Sequence, residues 1–247
     1  MDAVNIALEL AVQDPAGVRI AREVGAARVE LTQALALGGL TPSPATLELA
    51  KEAAGEGGPE VHVLIRPRAG GFHYDTEEIA VAVRDVECAV AAGADGVVIG
   101  AVDGSGGLDL EAMARMRDAA GAAAVTLHRA IDVTTDPLAA LEGAIALGLG
   151  RVLTSGGASS AIEGIDTLRA LVVAAAGRIE VMAGSGVSAG NALALAGVGV
   201  DALHFSAKRT VTADTEGVRM GSAADGVGGY EVTDRDAALA VRRALGL

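Results

Sequence analysis

The sequence predicts a single (β/α)8 barrel, an α/β fold in which eight parallel strands alternate with eight helices. Short apolar runs alternate with longer segments of helical spacing along the chain, which is typical of a parallel sheet. Eight such units in 247 residues match the size of one TIM-like barrel. The alternative is a doubly wound nucleotide-binding sheet, which would carry a glycine-rich turn after its first strand. The turn here is Val12-Gln13-Asp14-Pro15, so we favour the barrel.

Eight short runs of apolar or alternating residues are predicted as the strands. They are Val4–Ala11, Arg28–Thr32, Glu60–Arg66, Asp95–Gly100, Ala123–His128, Arg151–Thr154, Arg178–Ala183 and Ala202–Phe205. No interdomain linker separates them, so residues 1–247 are predicted to form one domain. The segment 208–232, rich in Gly, Ser, Asp and Thr, is predicted to be an irregular insertion after the eighth strand.

Capping residues mark where several helices begin. Asp14-Pro15, Ser43-Pro44 and Asp136-Pro137 each place an N-cap residue before a proline at the first helical position. Ser160 with Glu163 three residues later has the spacing of a capping box for the sixth helix. The remaining helices are predicted over Glu77–Ala92, Leu110–Ala120, Ser188–Leu195 and Thr233–Leu247.

Composition argues against several classes of function. A net charge of −13 would repel a nucleic-acid backbone or an anionic membrane, although one cationic pocket could still bind a small anion. Cys88 is the only cysteine, so no intramolecular disulfide can form, as is usual in a reducing compartment. The N-terminus lacks a signal-peptide pattern, and no apolar run reaches the ~18 residues of a membrane span. We therefore expect a cytoplasmic protein without nucleic-acid or membrane partners.

Polar side chains gather at the predicted carboxyl ends of the strands, where barrels keep their active sites. Because side chains alternate across a strand, the aliphatic phase should pack on the helices and the other phase should face inward. The late inward residues are Glu9, Glu30, Arg66, His128, Thr154, His204 and Ser206. Carboxylates beside histidines can exchange protons, so Glu9, Glu30 and His128 are the candidate acid/base residues. The alternative is a buried ion-pair network that only fills the barrel mouth. Arg28 and His62 lie earlier on their strands and are interpreted as structural.

A glycine turn, Gly184-Ser185-Gly186, follows the seventh strand. Barrels often bind phosphate with the loops after strands seven and eight and a helix N-terminus, so this turn predicts an anion site. The alternative is a tight turn without a ligand. The full set of candidate substrate-binding residues is Arg66, Arg68, Thr154, Gly184, Ser185, Gly186, His204 and Ser206.

Five runs in chain order resemble the CutC copper homeostasis family. They are Arg28–Ser43, Val63–Arg68, Thr126–Asp132, Val152–Gly156 and Val181–Val187. The resemblance implies a TIM-like barrel, a cytoplasmic location, a homodimer and copper(I) binding.

This sequence departs from the family pattern where copper would bind. Family members often carry cysteine at the positions of Ala11 and Thr32, and soft copper(I) prefers thiolate and thioether ligands. The resemblance suggests copper as the cofactor, but Ala11 and Thr32 replace the cysteines that would bind it. The sequence therefore assigns no cofactor, and the identity of any metal stays open. Two hypotheses remain. The chain is a copper homeostasis protein without an assigned reaction, or it is a barrel enzyme of lyase or isomerase type that acts on a small anionic or phosphorylated substrate.

Overall fold

A closed barrel of eight parallel strands forms the centre of the computed structural model, which describes residues 6–212 and 229–247. The strands pair in chain order, and the first closes the ring against the eighth. The predicted barrel is therefore confirmed. The strands are β1 (Ala7–Val12), β2 (Arg28–Leu31), β3 (Glu60–Leu64), β4 (Gly96–Ile99), β5 (Ala124–Leu127), β6 (Arg151–Thr154), β7 (Glu180–Gly184) and β8 (Ala202–Phe205).

Helices follow the strands and cover the outside of the barrel. They are α1 (Pro15–Glu23), α2 (Pro44–Ala54), α3 (Thr76–Ala91), α4 (Leu110–Ala119), α5 (Pro137–Ala146), α6 (Ile165–Ala175), α7 (Ala192–Ala196) and α8 (Arg235–Ala244). Two 3-10 turns, Leu35–Leu37 and Arg129–Val133, lie in the loops after β2 and β5. No helix in the described ranges is long and apolar enough to cross a membrane.

The caps predicted from Asp-Pro and Ser-Pro pairs are present. Asp14, Ser43 and Asp136 each accept a hydrogen bond from a backbone N–H of the first helical turn, which satisfies a group that the helix itself leaves unpaired. These interactions fix the start of α1, α2 and α5 directly after the loops that follow the strands.

Two predicted helix starts are wrong. The sixth helix begins at Ile165 without a side-chain cap, because Ser160 and Glu163 instead lie in a turn in which the Glu163 N–H bonds the Ser160 carbonyl. The seventh was expected from Ser188, but α7 begins at Ala192 and has only 5 residues. Both differences lie in the loops that border the barrel mouth.

Alternation along the strands separates the core from the interior of the barrel. Leu8 and Leu10 of β1 are buried in the large cluster between strands and helices, whereas Glu9 between them is buried inside the ring. A small apolar cluster of Leu153, Met182 and Ala202 fills part of the interior. The aliphatic phase therefore packs on the helices, and the polar phase faces inward as predicted on the other strands. On β6 the inward residue is Leu153, so Thr154, which was predicted to face inward, belongs to the opposite phase.

The segment after β8 differs from its prediction at both ends. Residues Lys208–Thr212 (β9) and Gly229–Thr233 (β10) pair as an antiparallel two-stranded sheet, so the ends of the predicted irregular insertion are regular. Residues 213–228 lie outside the described residues. The Gln13 side chain donates a hydrogen bond to the Glu231 carbonyl at 3.2 Å and accepts one from the Leu35 N–H at 2.9 Å. The hairpin is thereby joined to the loops after β1 and β2.

Candidate active site

A cavity of about 400 Å³ opens among the carboxyl ends of the strands. Its lining mixes cationic, acidic and apolar side chains. The polar members are Glu30, Arg66, His128, Arg129, Ser185, His204, Ser206 and Lys208, and the apolar members include Ala11, Leu35, Leu64, Phe72, Leu153, Val187 and Phe205. Most of the predicted site residues are therefore brought together in one place.

Glu30, His204 and Glu9 form a row across β2, β8 and β1. The barrel closure places Glu9 opposite His204, and the Nδ1 atom of His204 lies 2.9 Å from Oε1 of Glu9. The other ring nitrogen, Nε2, lies 3.6 Å from Oε2 of Glu30. Arg28 donates to Oε2 of Glu9 at 3.0 Å. The imidazole of His204 is thus held between two carboxylates, one of which lines the cavity.

The two carboxyl groups of this row titrate differently. Burial raises the pKa of Glu30 to about 6; the charge of His204 opposes this shift and that of Glu9 adds to it. Burial would also raise the pKa of Glu9, but the hydrogen bond and charge of His204, with the charge of Arg28, lower it to about 2. Glu9 is therefore a permanent anion, whereas Glu30 exchanges its proton near neutral pH.

His204 gains its proton from the same neighbours. Burial alone would lower the pKa of His204, but the charge of Glu30 and the hydrogen bond to Glu9 raise it above its ordinary value. Between the pKa of Glu30 and the raised pKa of His204, the row therefore holds an imidazolium between two carboxylates. Because the three groups interact closely, their protons are lost in steps that belong to the whole row.

Arg66 is a buried cation on the cavity wall. Its Nη atoms donate to the carbonyl oxygens of Leu37, Gly39 and Gly70 at 2.7 to 2.9 Å, and these bonds join the loops after β2 and β3. The Nε atom is buried without a partner, and the guanidinium forms no ion pair with a carboxylate of the described ranges. An uncompensated buried charge is costly, so this wall is suited to an anion.

His128 sits at the end of β5 and is almost completely buried. Its Nδ1 accepts a hydrogen bond from the Ala130 N–H at 3.1 Å, and its ring centroid lies 4.7 Å from that of Phe72. Burial, helped by the charge of Arg66, lowers the pKa of His128 to about 3. The ring is therefore neutral, and its proton is on Nε2. This atom is buried and has no partner within the described part of the chain.

Asp132 organises the loop after β6. It accepts hydrogen bonds from the Thr154 hydroxyl at 2.5 Å and from the N–H groups of Ser155 and Gly157 at 3.0 to 3.1 Å. It also accepts one from Nε of Arg129 at 2.7 Å. Thr154 was predicted to bind substrate, but its hydroxyl is committed to Asp132 beside the cavity.

Arg129 lines the cavity, although strand alternation predicts that the residue after His128 turns outward or into the loop. Arg129 and Asp132 form an ion pair three residues apart on a 3-10 turn. This spacing in the sequence could have predicted that Arg129 stays close to the barrel mouth. By contrast, Arg68 does not line the cavity. Its guanidinium is paired with Glu78 at the start of α3 and stacks on Tyr74, which removes it from the predicted substrate site.

The glycine turn after β7 borders the cavity through Ser185 and Gly186, while Gly184 is buried against His204. Ser185 has φ 80°, an uncommon conformation for a residue with a side chain, and its hydroxyl donates to the Ser159 carbonyl at 2.8 Å. A helix N-terminus was expected directly beside this turn. Because α7 begins only at Ala192, the turn is not followed by one at that position.

A second polar layer lies inside the barrel below Glu9. Nε of Arg151 donates to Glu180 at 2.7 Å, one Nη donates to the Thr126 hydroxyl at 3.2 Å, and Nη2 of Arg28 lies 3.9 Å from Glu180. His62 is fully buried. Burial lowers its pKa against the opposing charge of Glu9. These side chains do not line the cavity, in keeping with a structural role for Arg28 and His62.

Copper(I) prefers sulfur ligands, and the two positions where the family often carries cysteine hold none in this chain. Ala11 lines the cavity without a ligand atom, and the Thr32 hydroxyl is bonded to the carbonyls of Gln33 and Leu40. Cys88 lies exposed on α3. Within residues 6–212 and 229–247, no group of three or more His, Cys, Asp or Glu is arranged to hold a metal ion. The described residues of the cavity therefore do not supply the soft ligands that copper(I) prefers.

Comparison with known proteins matches most of this chain to one protein family. A model of the CutC family matches residues 6–209. A CutC family protein of Xylella fastidiosa (strain Temecula1) is 48% identical over 234 residues, which cover 94% of this chain and 86% of that protein. One of Xanthomonas campestris pv. campestris (strain B100) is 50% identical over 207 residues, which cover 83% and 85%.

Solved structures agree with this fold. A Streptococcus agalactiae protein described as a candidate copper homeostasis protein CutC superposes with a TM-score of 0.77 at 32% identity, over 81% of this chain and 98% of that one. Thiamine phosphate pyrophosphorylase of Pyrococcus furiosus superposes with a TM-score of 0.63 at 17% identity, over 98% and 97% of the two chains. The second likeness shows a shared barrel fold only.

Proposed function

This chain belongs to the CutC family, and on that premise we propose that its barrel mouth is an enzyme site that binds a small anion and transfers a proton. The observation that carries the proposal is the row Glu30, His204 and Glu9 beside Arg66, whose charge no carboxylate of the described residues pairs. A purely structural ion-pair network would be expected to neutralise its own cations. This one leaves a buried cation at a cavity, and a carboxyl group that titrates near pH 6.

Glu30 acts as the base in this proposal. Its carboxylate lines the cavity and, with a pKa of about 6, is ionised yet still basic near neutral pH, as a general base should be. The imidazolium of His204 serves as the acid that returns a proton to the substrate. Glu9 does not line the cavity. It is a positioning residue that orients the imidazole and stabilises its charge, as the third group of a catalytic row does.

The cations of the wall determine the charge of the substrate. Arg66, Arg129 and Lys208 line the cavity beside the row. Arg129 is paired with Asp132 and Lys208 with Glu231, so Arg66 is the cation of this wall that a ligand would neutralise. Among the described lining residues, Glu30 is the one carboxylate. Local positive charge of this kind can bind an anion although the whole chain carries −13. A lyase or isomerase step on a small carboxylate or phosphorylated compound would use both the cations and the proton transfer. Ser185, Gly186 and Ser206 supply further polar contacts in this proposal.

Copper is not part of this proposal. The Streptococcus agalactiae relative is described as a copper homeostasis candidate, but the lining residues within 6–212 and 229–247 offer no thiolate or thioether ligand. We therefore derive no step through copper. The cytoplasmic location and the homodimer remain proposals that rest on the single cysteine and on the family resemblance.

The test is uptake of deuterium from D2O by a panel of small carboxylates and phosphate esters, followed by ¹H NMR. We expect the enzyme to exchange one carbon-bound proton of at least one compound. Glu30→Gln and His204→Gln should abolish the exchange. Glu48→Gln, a matched change on the exposed face of α2, should retain it. Failure of the whole panel, together with no binding of inorganic phosphate or acetate to the wild type, would overturn the proposal.

A further inference from the structure

His128 lies across the barrel from the proton-transferring row. The ring of eight strands closes β1 on β8, so β5, which His128 directly follows, stands opposite β1. His128 lines the cavity whose other wall carries Glu30 and His204. A substrate bound between the walls would meet the base on one side and the ring of His128 on the other.

We propose that His128 is a neutral hydrogen-bond donor to a substrate oxygen, and that the substrate is a small anion with a carbonyl next to the carbon that loses its proton. This inference rests on the proposed function and gives His128 a different role from the acid/base role predicted from the sequence. The base on one wall would remove the proton, and His128 on the other would hold the oxygen on which charge develops.

The backbone fixes which nitrogen of His128 carries the proton. Nδ1 accepts from the Ala130 N–H at 3.1 Å, so it has no proton of its own, and the hydrogen of the neutral ring must be on Nε2. Nε2 is buried and has no hydrogen-bond partner among the residues that the structure describes. Buried donors are nearly always satisfied, and an unsatisfied one needs an explanation. A ligand oxygen in the cavity would satisfy it.

The surroundings of His128 keep it neutral. The cation of Arg66 and the ring of Phe72 lie beside it, and water has little access to it. A neutral ring cannot serve as a strong acid, but it can donate a hydrogen bond without a change in its own charge. Preorganised donors of this kind stabilise an oxyanion because they need no reorganisation during the reaction.

The proposed step is balanced in protons and electrons. Glu30 takes the proton from the carbon next to the carbonyl, and the electron pair of that C–H bond forms a carbon–carbon double bond. The π pair of the carbonyl moves onto its oxygen, which accepts the hydrogen bond from Nε2 of His128. His128 gives up no proton. The anionic group of the substrate pairs with Arg66, whose Nε also lacks a partner.

Two variants separate the donor from the fold. His128→Asn keeps an oxygen that can accept from the Ala130 N–H but removes the donor at the Nε2 position. His128→Gln can place an amide N–H near that position. We expect His128→Asn to lower kcat/KM for the exchange by roughly 10²- to 10³-fold, the usual effect of removing an oxyanion donor, and His128→Gln to retain most of it. Equal losses in both variants would overturn the inference.

A second measurement needs no turnover. In protein labelled with ¹⁵N-histidine, the Nε2–H resonance of His128, assigned by its loss in His128→Gln, should shift downfield and exchange more slowly on addition of oxalate. Oxalate is a planar dianion that resembles an enolate beside a carboxylate. A proton found on Nδ1, or an Nε2–H resonance that oxalate leaves unchanged, would overturn the inference. Failure of the deuterium panel alone would count against the proposed function and leave this readout intact.

Discussion

Glu9 and Glu30 show how two glutamates in one row acquire different chemistry. Both are buried, but Glu9 accepts hydrogen bonds from Arg28 and His204. The cation nearest to Glu30 among the described side chains is the more distant Nε2 of His204, at 3.6 Å. Hydrogen bonds to the charged form lower a pKa, and burial without them raises it. The difference assigns a fixed charge to Glu9 and an exchangeable proton to Glu30.

The pH dependence of the exchange reaction should follow from this difference. kcat/KM is expected to rise as Glu30 loses its proton through about pH 6. It should fall again above the raised pKa of His204, where the acid is lost. A pH–rate profile of the wild type checks the bell shape. A flat profile between pH 5 and 8 would contradict the assignment of Glu30 as base.

His128 should also make the stability of the fold depend on pH. Its folded pKa of about 3 lies below the ordinary value of 6.5, so its contribution is fully present above pH 6.5 and is lost as pH falls toward 3. Between pH 6.5 and 4.5 this amounts to roughly 2–3 kcal/mol at 1.36 kcal/mol per pH unit. Urea unfolding of His128→Gln should show that much less acid destabilisation than the wild type. Parallel curves would contradict the prediction.

The inward residues could be predicted because strand alternation is a local property. Glu9, Glu30, Arg66, His128 and His204 all follow from it. The division of roles among them could not be predicted, since it depends on contacts between strands far apart in sequence. Arg68 was misplaced because a basic residue in a loop gives no sign of whether it turns toward the cavity or toward Glu78.

Among the elements, strands and proline-capped helices were predictable, whereas the loops at the barrel mouth were not. A serine and a glutamate three residues apart mark a capping box, but the same spacing fits the turn that Ser160 and Glu163 occupy. Tertiary contacts decide between them. A Cβ at Gly164 would lie 1.9 Å from the Ser155 carbonyl oxygen, so the loop packs on β6 before α6 begins.

Asp132 is the residue on which the loop after β6 depends. The Asp132 carboxylate now accepts hydrogen bonds from backbone N–H groups of this loop. In Asp132→Asn the amide NH2 would face one or more of these N–H groups, donor to donor. We expect a loss of about 3 kcal/mol in the free energy of unfolding, as for removal of one partner in a buried charged network. Asp118→Asn, an exposed change on α4, is the matched control in urea titrations. An equal effect of both changes would refute this role.

A substitution at Gly100, the residue after β4, would test how tightly His128 is held. A Cβ at Gly100 would lie 2.4 Å from both Nδ1 and Cε1 of His128, closer than real side chains approach. Gly100→Ala should therefore displace the imidazole and destabilise the fold by about 1–3 kcal/mol, as overpacking does. Gly71→Ala, where nothing lies within 4 Å, should be nearly neutral. Thermal unfolding of the two variants provides the comparison.

At the scale of the whole molecule, the described part of the cavity wall has no sulfur ligand, which predicts weak copper(I) binding. In a competition titration with a chromogenic copper(I) chelator, the wild type should compete no better than its Cys88→Ser variant, because Cys88 is exposed and remote from the cavity. Stoichiometric copper bound tightly by Cys88→Ser would contradict the prediction. Such a result would favour copper binding as the function of this protein.

The contact between Glu9 and His204 spans 195 residues of sequence. It joins the first strand to the last, so it cannot exist until the ring has closed. Bringing chain ends so far apart together costs about 5 kcal/mol of loop-closure entropy by the (3/2)RT ln n relation, and contacts of such long range tend to slow folding. The site is therefore expected to appear late in folding. A chain released before β8 is made would lack the proton-transferring row altogether, so the onset of exchange during refolding would time the closure of the barrel.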